Sequence, residues 1–108
     1  MLKVIEEFPD YSVNEYGEVY SYKSNKWVSR RIYEGLYWGV NLRDDDGKNI
    51  YRSCHTLVAK AFHKDTYKEG LIVNHKDLDK SNCYYKNLEW ITYKENSDHY
   101  VSNMPEHA

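Results

Sequence analysis

The first half of the chain alternates short apolar and aromatic runs with polar segments rich in asparagine, glycine and aspartate. Runs of β-branched and aromatic residues, separated by turn-forming residues, are typical of β-strands. They occur at 11–13, 18–23, 26–33, 36–43 and 48–53. The turn signal "DDDG" at 44–47 separates the last two runs, as in a β-hairpin. The pattern therefore predicts an antiparallel β-meander.

The spacing of the apolar positions changes in the second half of the chain. In "HTLVAKAF" (55–62) the apolar residues recur at the spacing of one helix face, which predicts a short helix. The apolar run "LIV" (71–73) predicts a short buried strand, and "NLEWI" (87–91) alternates like a second strand. The polar segments 64–70 and 76–82 are predicted to be loops.

The segment "TYKE" (92–95) matches the capping box that begins many helices. Thr92 is expected to cap the helix. Glu95 is expected to reach back and accept a hydrogen bond from the backbone amide at the N-terminus of the helix. The pattern predicts a helix from about Tyr93 to Val101. The C-terminal third is therefore predicted to run strand, loop, strand, helix.

Three polar residues stand where these last elements meet. His75 ends the first strand, Asn87 begins the second, and Asn96 is in the first turn of the helix. Side chains from three elements can converge on one point, and convergent polar groups indicate a site more strongly than any one of them. Taken singly, the histidine is equally a surface residue ending a strand, and the asparagines are ordinary turn and first-turn residues.

Length and charge fit one folded domain and leave the binding partner open. The chain has 108 residues, a net charge of −2 and a pI of about 6.2, which argue against a simple nucleic-acid binder. The charge is segregated, however, because residues 19–33 and 47–64 contain lysines and arginines and no acidic residue. Such segregation either presents one basic face to phosphates or reflects ordinary solvated faces of strands and helices.

The two cysteines and the apolar runs bear on the compartment. Cys54 and Cys83 form no C-x-x-C pair, so a structural zinc site has no support. We expect two free thiols in a reducing cytosol. The N-terminus has no apolar signal-peptide core, and no apolar run approaches the length of a membrane span. A cytoplasmic protein without membrane contact is therefore expected.

Three segments of the second half together resemble the ββα-metal core of HNH endonucleases, specifically the homing type associated with phages and introns. They are "VNH" (73–75), "NLEW" (87–90) and "T-x-x-EN-x-x-H" (92–99). Upstream, "HTLVAKAF" resembles the helix that precedes this core. The segment "FPDYSVNEYGEVYS" (8–21) is similar to a small strand module often fused N-terminally to these nucleases. All segments stand in the expected order.

The resemblance implies an α+β fold in a single domain over residues 1–108. An N-terminal antiparallel β-meander and a short helix would be followed by a C-terminal ββα-metal (HNH) motif. Residues from about 8 to 53 would form a strand-rich DNA-binding part, and residues from about 54 to 101 the nuclease core.

The resemblance also implies the chemistry of the site, which is phosphodiester hydrolysis. His75 is the candidate general base, because an imidazole titrates near neutral pH. Asn87 is implied to orient that base and to hold its loop. Asn74 and Asn96 are implied to hold one divalent ion, Mg²⁺ or Mn²⁺, and hard ions of this kind take oxygen ligands.

Two further features bear on the implied site. The first metal position in this group is often aspartate, and Asn74 stands there in this chain, so we expect weak metal binding until a substrate phosphate completes the site. His99 shares a helix face with Asn96, and His55 opens the preceding helix. Each of these histidines is a candidate for an additional ligand or a phosphate contact, with a packing role as the alternative.

The strand-rich half is implied to bind double-stranded DNA through its basic residues. The candidates for phosphate contacts are Lys23, Lys26, Arg30, Arg31, Arg43 and Arg52. Phosphate contacts position a duplex and do not read its sequence. Sequence specificity is therefore expected to be low, or to come from a homodimer or a protein partner.

The resulting hypothesis is a metal-dependent HNH DNA endonuclease, encoded by a phage, that nicks or cuts DNA in the cytoplasm of a bacterial host. The alternative is a nuclease fold reused to bind nucleic acid, nucleotides or a host-defence protein without cleavage. The acidic net charge and the amide in place of a metal-binding carboxylate favour that alternative.

Overall fold

The computed structural model describes residues 1–33 and 37–102 and has an α+β fold. The strands are β1 (Leu2–Ile5), β2 (Phe8–Asn14), β3 (Val19–Ser21), β4 (Lys26–Trp27), β5 (Arg31–Tyr33), β6 (Tyr37–Arg43), β7 (Asn49–Ser53), β8 (Ile72–His75) and β9 (Leu88–Ile91). The α-helices are α1 (Cys54–Phe62) and α2 (Tyr93–Ser102). Neither helix, within the described part of the chain, is long and apolar enough to cross a membrane. The predicted strand at 36–43 is β6, and Leu36 lies outside the described residues.

The first sheet has the strand order β1-β2-β3-β4, and its strands pair antiparallel. Val13 and Val19 face each other across β2 and β3, and both side chains are fully buried in the core. The sequence pattern missed β1. That strand has four residues and lies at the edge of the sheet, and Leu2 and Val4 are exposed, so its apolar residues do not mark one buried face.

The prediction of one strand at 26–33 is wrong, because the chain leaves one sheet and enters another within this segment. β4 closes the first sheet, and β5 begins a second sheet with the order β5-β6-β7. Between them, the guanidinium of Arg30 packs over the Trp38 ring at 4.9 Å and donates to the Tyr16 carbonyl oxygen. The antiparallel pairing is as predicted, but it is divided between two sheets.

Helix α1 packs in the core, with Leu57 and Val58 buried among residues of both sheets and of the C-terminal third. The backbone of Gly17, with φ of +84°, lies close to the two cysteine side chains in this core. A Cβ at this position would lie 2.9 Å from the Cβ of Cys83 and 3.2 Å from that of Cys54. Both cysteines are free, as predicted, and both are buried. Burial raises the pKa of the Cys54 thiol to about 12 and that of Cys83 to about 11.

The C-terminal third runs strand, loop, strand, helix, as the sequence predicts. Strands β8 and β9 pair antiparallel, with Asn74 directly opposite Glu89. The capping box of α2 is confirmed. The Thr92 N–H donates to Oε1 of Glu95 at 3.0 Å, and the Glu95 N–H donates to Oγ1 of Thr92 at 3.1 Å. This start of α2 carries Asn96 to the end of β8, where both elements line one cleft.

Candidate active site

The cleft between the end of β8 and the start of α2 is the candidate active site. It has a volume of about 130 Å³. Its lining residues are Tyr37, His55, Val73, Asn74, His75, Leu78, Lys80 and Asn96. The structure thus gathers the predicted base, both predicted metal positions and one of the two additional histidines. Of the other predicted site residues in the described part of the chain, Asn87 and His99 do not line the cleft.

His75 ends β8 with its side chain largely buried, at 6% exposure. Its Nε2 atom is buried and has no hydrogen-bond partner among the described residues. A buried polar atom without a partner is unfavourable, so this nitrogen is available to a ligand. Burial lowers the pKa of His75 below its usual value, and the carboxylates of Asp77 and Asp79 only partly oppose that shift. The imidazole is therefore largely neutral at pH 7 and can accept a proton.

His55, in the first turn of α1, packs against His75. Their ring centroids are 4.9 Å apart and their planes meet at 69°, an edge-to-face contact. The Tyr37 ring lies 5.1 Å from His55. Burial lowers the pKa of His55 to about 4, and the neighbouring His75 contributes to the shift. His55 is therefore neutral at pH 7 and supports the His75 ring from one side, while its contact with phosphate stays a prediction.

Asn87, at the end of a 3-10 turn before β9, holds the loop that follows His75. Its Oδ1 accepts a hydrogen bond from the Asp77 N–H at 3.1 Å, and its Nδ2 donates to Oδ1 of Asp77 at 2.9 Å and to the Asn82 carbonyl at 3.0 Å. Its own carbonyl accepts a bond from the Lys76 N–H at 2.8 Å. Asn87 therefore holds the loop that directly follows His75, and its role in orienting that base stays a prediction.

Asn74, the residue before His75, is 4% exposed and donates from Nδ2 to Oε2 of Glu89 at 2.8 Å. Sequence reasoning missed Glu89. The signal that could have found it is the register of the β8–β9 hairpin, which places these two residues opposite each other. Asn96 reaches the same cleft from the first turn of α2, so two amide side chains line it.

Lys80 and Leu78 come from the loop after His75, and sequence reasoning missed both. Nζ of Lys80 lies 5.4 Å from the centroid of the Tyr37 ring, at the wall of the cleft. Leu78 has a φ of +64°, in the left-handed region that is unfavourable for a residue with a Cβ. Its N–H donates to the His75 carbonyl at 2.9 Å, so the turn after His75 holds this strained residue beside the site.

Comparison with known proteins assigns this arrangement to a family. Residues 52–98, which contain α1, the β8–β9 hairpin and the start of α2, match a family model described as HNH endonuclease. This segment is similar to the HNH endonuclease family. Members of this family generally depend on a divalent metal ion. The resemblance inferred from the sequence is confirmed.

Two phage relatives extend the likeness beyond the HNH core. The DNA endonuclease I-HmuI of Bacillus phage SP01 is 40% identical over 92 residues, which cover 85% of this chain and 52% of the relative. The H-N-H endonuclease F-TflII of Escherichia phage T5 is 38% identical over 106 residues, which cover 96% of this chain and 52% of the relative. The chain therefore spans about half the length of these relatives.

A solved structure has the same arrangement as the whole chain. It is described as "DNA binding and cleavage by the HNH homing endonuclease I-HmuI" and matches with a TM-score of 0.90 and 35% sequence identity. The match covers 100% of this chain and 62% of that chain. The predicted α+β class, with strands preceding the HNH core, is confirmed.

The six basic residues predicted to contact DNA differ in their surroundings. Lys23 is ion-paired with Asp10 at 3.2 Å, and Arg52 with Glu7 at 3.1 Å. Arg30 is half-buried in its stack on an aromatic ring. Lys23, Lys26, Arg31 and Arg43 are exposed. Contact with DNA stays a prediction for all six, and Lys26, Arg31 and Arg43, which are exposed and form no ion pair among the described residues, are the most accessible to a phosphate.

The cleft contains donor atoms that a divalent ion could use. In residues 1–33 and 37–102, no group of three or more His, Cys, Asp or Glu side chains is placed to hold a metal. Asn74 and Asn96, whose side chains carry amide oxygens, line the cleft together with His75. Mg²⁺ keeps several waters and completes its shell with substrate phosphates, so it would need few protein oxygens. Which ion the cleft binds stays a prediction.

Proposed function

We propose that the protein is a metal-dependent DNA endonuclease in which His75 is the general base. The observation that carries the proposal is the buried Nε2 atom of His75, which has no partner among the described residues. The same cleft contains Asn74 and Asn96, the two amides in the predicted metal positions. The family match and the phage relatives named as endonucleases support this reading.

In the proposed reaction, Nε2 of His75 accepts a proton from a water molecule as the water oxygen attacks the phosphorus of a DNA phosphodiester. The new P–O bond forms as the bond to the leaving 3′ oxygen breaks. Because burial keeps the imidazole neutral, the base is ready at pH 7. A divalent ion, Mg²⁺ or Mn²⁺, held by the amide oxygens of Asn74 and Asn96 would supply positive charge to the phosphate and the leaving oxygen.

Asn87 is proposed as a positioning residue that does not touch the substrate. Its side chain ties together the two ends of the loop, at Asp77 and Asn82. Its carbonyl holds the amide of Lys76, the residue directly after His75. Fixing the chain on that side of His75 restrains the direction in which the base points.

Double-stranded DNA is the proposed substrate. Its phosphates would contact the predicted basic residues, foremost the exposed Lys26, Arg31 and Arg43, with His55 and His99 as further candidates at the site. Contacts of this kind position a duplex without reading it, so target choice would come from a homodimer or a protein partner. Both relatives are phage proteins, and we infer action in the cytoplasm of a bacterial host.

Incubation of supercoiled plasmid with the protein and Mg²⁺ or Mn²⁺ tests the proposal directly. We expect nicked or linear DNA from the native protein and a loss of roughly 100-fold or more in rate for His75→Ala, the size typical of a general base. His63→Gln is the matched control, because His63 is the C-cap residue that follows α1 and does not line the cleft. The catalytic proposal fails if neither ion supports nicking, or if His75→Ala nicks as fast as the control.

A second candidate function is binding without cleavage, of nucleic acid, nucleotides or a host-defence protein. The neutral amide of Asn74, where the family resemblance leads one to expect a carboxylate, is the observation that favours it. Two neutral amides attract a divalent ion less strongly than a carboxylate does. For DNA, this candidate predicts a retarded band in a gel-shift assay and intact plasmid with either ion.

A further inference from the structure

Asn74, which lines the cleft, forms a hydrogen-bonded pair with Glu89, which does not line it. They lie directly opposite each other in the β8–β9 hairpin, and Nδ2 of Asn74 donates to Oε2 of Glu89 at 2.8 Å. Asn74 is 4% exposed and Glu89 is half-buried. In residues 1–33 and 37–102, no group donates a hydrogen bond to Oδ1 of Asn74. One end of the amide is therefore engaged and the other is not.

The chemistry of the partner decides which end is engaged. A carboxamide presents an acceptor oxygen on one side and a donor amino group on the other, and rotation by half a turn exchanges them. An ionised carboxylate offers only acceptors, so it can bond the amino group and repels the oxygen. Glu89 therefore excludes the rotated amide, and Oδ1 of Asn74 is left for the cleft that this residue lines.

We propose that Glu89 is a positioning residue that selects the orientation of the Asn74 carboxamide and thereby presents its oxygen to a divalent cation. This inference rests on the proposed function, because the orientation matters only if the cleft holds a cation. A hydrogen bond from the amide N–H to a carboxylate also draws electron density toward the amide oxygen, which strengthens it as a ligand. Glu89 thus supplies the negative charge that an aspartate would carry at position 74, but it does so one side chain further from the cleft.

A simpler reading is that this pair only stabilises the hairpin, as cross-strand pairs do. The two readings differ in what Glu89→Gln does. Glutamine has nearly the shape of glutamate but can either accept or donate, so it is compatible with both orientations of the Asn74 amide. If Glu89 selects the orientation, this variant loses the selection while the hairpin remains paired. If Glu89 only stabilises the hairpin, the orientation and cation affinity stay unchanged.

The first measurement is nitrogen-15 NMR of the Asn74 side-chain amide without metal or DNA, assigned by its loss in Asn74→Asp. In the native protein we expect one slowly exchanging NH₂ pair. In Glu89→Gln we expect its signals to shift or broaden and its hydrogen exchange to accelerate. Asp45→Asn is the control for the loss of one negative charge, because Asp45 is exposed in the turn after β6. Unchanged Asn74 signals in Glu89→Gln would overturn the proposal.

The second measurement is Mn²⁺ affinity without DNA, followed by paramagnetic broadening of the Asn96 side-chain signals. We expect about tenfold weaker binding or more for Glu89→Gln, the size typical of losing an outer partner of a ligand. The double variant Asn74→Asp/Glu89→Gln should recover binding, because both carboxylate oxygens can serve either the glutamine or the cation. A double variant as weak as Glu89→Gln alone would contradict the orientation argument.

The two proposals can fail separately. If the Asn74 signals respond as expected but plasmid stays intact, the positioning role of Glu89 stands and the nuclease proposal falls. If plasmid is nicked while Glu89→Gln leaves the amide signals and the Mn²⁺ affinity unchanged, the nuclease proposal stands and the role of Glu89 falls. Because glutamine replaces glutamate with almost no change in shape, the hairpin should keep its fold in both variants.

Discussion

The loop after His75 and the cleft beside it are both polar, but they differ in how far their polar atoms are satisfied. In the loop, residues 76–82, both carboxylates accept hydrogen bonds from loop residues, and one also from Asn87. In the cleft, the buried nitrogens Nε2 of His75 and Nδ1 of His55 have no partner among the described residues. The carboxylates of the loop are satisfied by the loop itself and by Asn87, whereas the cleft lacks partners that a ligand can provide.

The contrast identifies the loop acids as part of the scaffold. Oxygens of Asp77 and Asp79 are occupied by N–H and O–H donors, so these carboxylates shape the loop. Their effect on the site is indirect, through the partial opposition to the lowered pKa of His75. Cleft variants should therefore change cleavage and leave stability alone, and loop variants should change stability and cleavage together.

The largest change in cleavage among these variants is expected from Asn96→Ala, in the cleft. The change removes one of the two amide oxygens from the cleft, and we expect DNA cleavage to fall by roughly 100-fold, as when a group that stabilises developing charge is lost. Stability should stay within about 0.5 kcal/mol, because alanine is at least as good a helix former as asparagine. Plasmid cleavage and urea unfolding of the same preparation measure both quantities.

Ser97→Ala is the matched control for Asn96→Ala, because Ser97 is the next residue on α2 and is exposed. It should cleave like the native protein. If Asn96→Ala unfolds at clearly lower urea than this control, Asn96 belongs with the scaffold and the contrast between loop and cleft is weakened.

The second-largest effect is expected from Asn87→Ala, which removes the side chain that holds the loop. The variant loses three side-chain hydrogen bonds, to Asp77 and Asn82. At a net value of about 1 kcal/mol each with partial solvent replacement, we expect a loss of about 2 kcal/mol in the free energy of unfolding. Cleavage should fall as well, because the restraint on His75 is lost. Urea unfolding and the plasmid assay measure the two effects.

Cys83 provides a local readout of the same variant. It directly follows the loop, is 3% exposed, and has a thiol pKa raised by burial to about 11. At pH 8 a thiol reagent therefore reacts only after the loop opens. We expect Asn87→Ala to speed this reaction by about 30-fold, as a loss of about 2 kcal/mol implies. Equal reaction rates in Asn87→Ala and Asn96→Ala would show that the loop is no more a scaffold than the cleft.

Three of the predicted site residues that line the cleft share a simple property. His75, Asn74 and Asn96 stand at the ends of elements with clear local signals: a short apolar run and a capping box. Once those elements are located, their ends must meet, because the hairpin and the following helix are joined by short connections. The strand–loop–strand–helix order and the core of the cleft therefore follow from local pattern.

The residues that the sequence missed depend on contacts between distant segments. Tyr37 reaches the cleft from β6, and nothing in its neighbourhood in the sequence indicates that position. Glu89 meets Asn74 only because of the hairpin register. In segment 26–33, which is divided between two sheets, Arg30 likewise contacts other strands and turns, packing on Trp38 and donating to the Tyr16 carbonyl. Local patterns do not contain such information, since it arises when the elements pack.

The smallest effect is expected from Lys80, which belongs to the loop by sequence and to the cleft by position. Among the described residues that line the cleft, Lys80 is the one lysine, and there is no arginine. Its Nζ atom lies over the Tyr37 ring. We expect Lys80→Ala to weaken DNA binding about 2–10-fold and to lower the slope of log affinity against log salt by about one, as for one phosphate contact.

Lys68→Ala, in the exposed segment before β8, is the control for Lys80→Ala. Titrations of a labelled duplex at several salt concentrations measure the slope. A slope equal to that of the control would place Lys80 with the loop scaffold, whereas a reduced slope with unchanged urea unfolding would place it with the cleft.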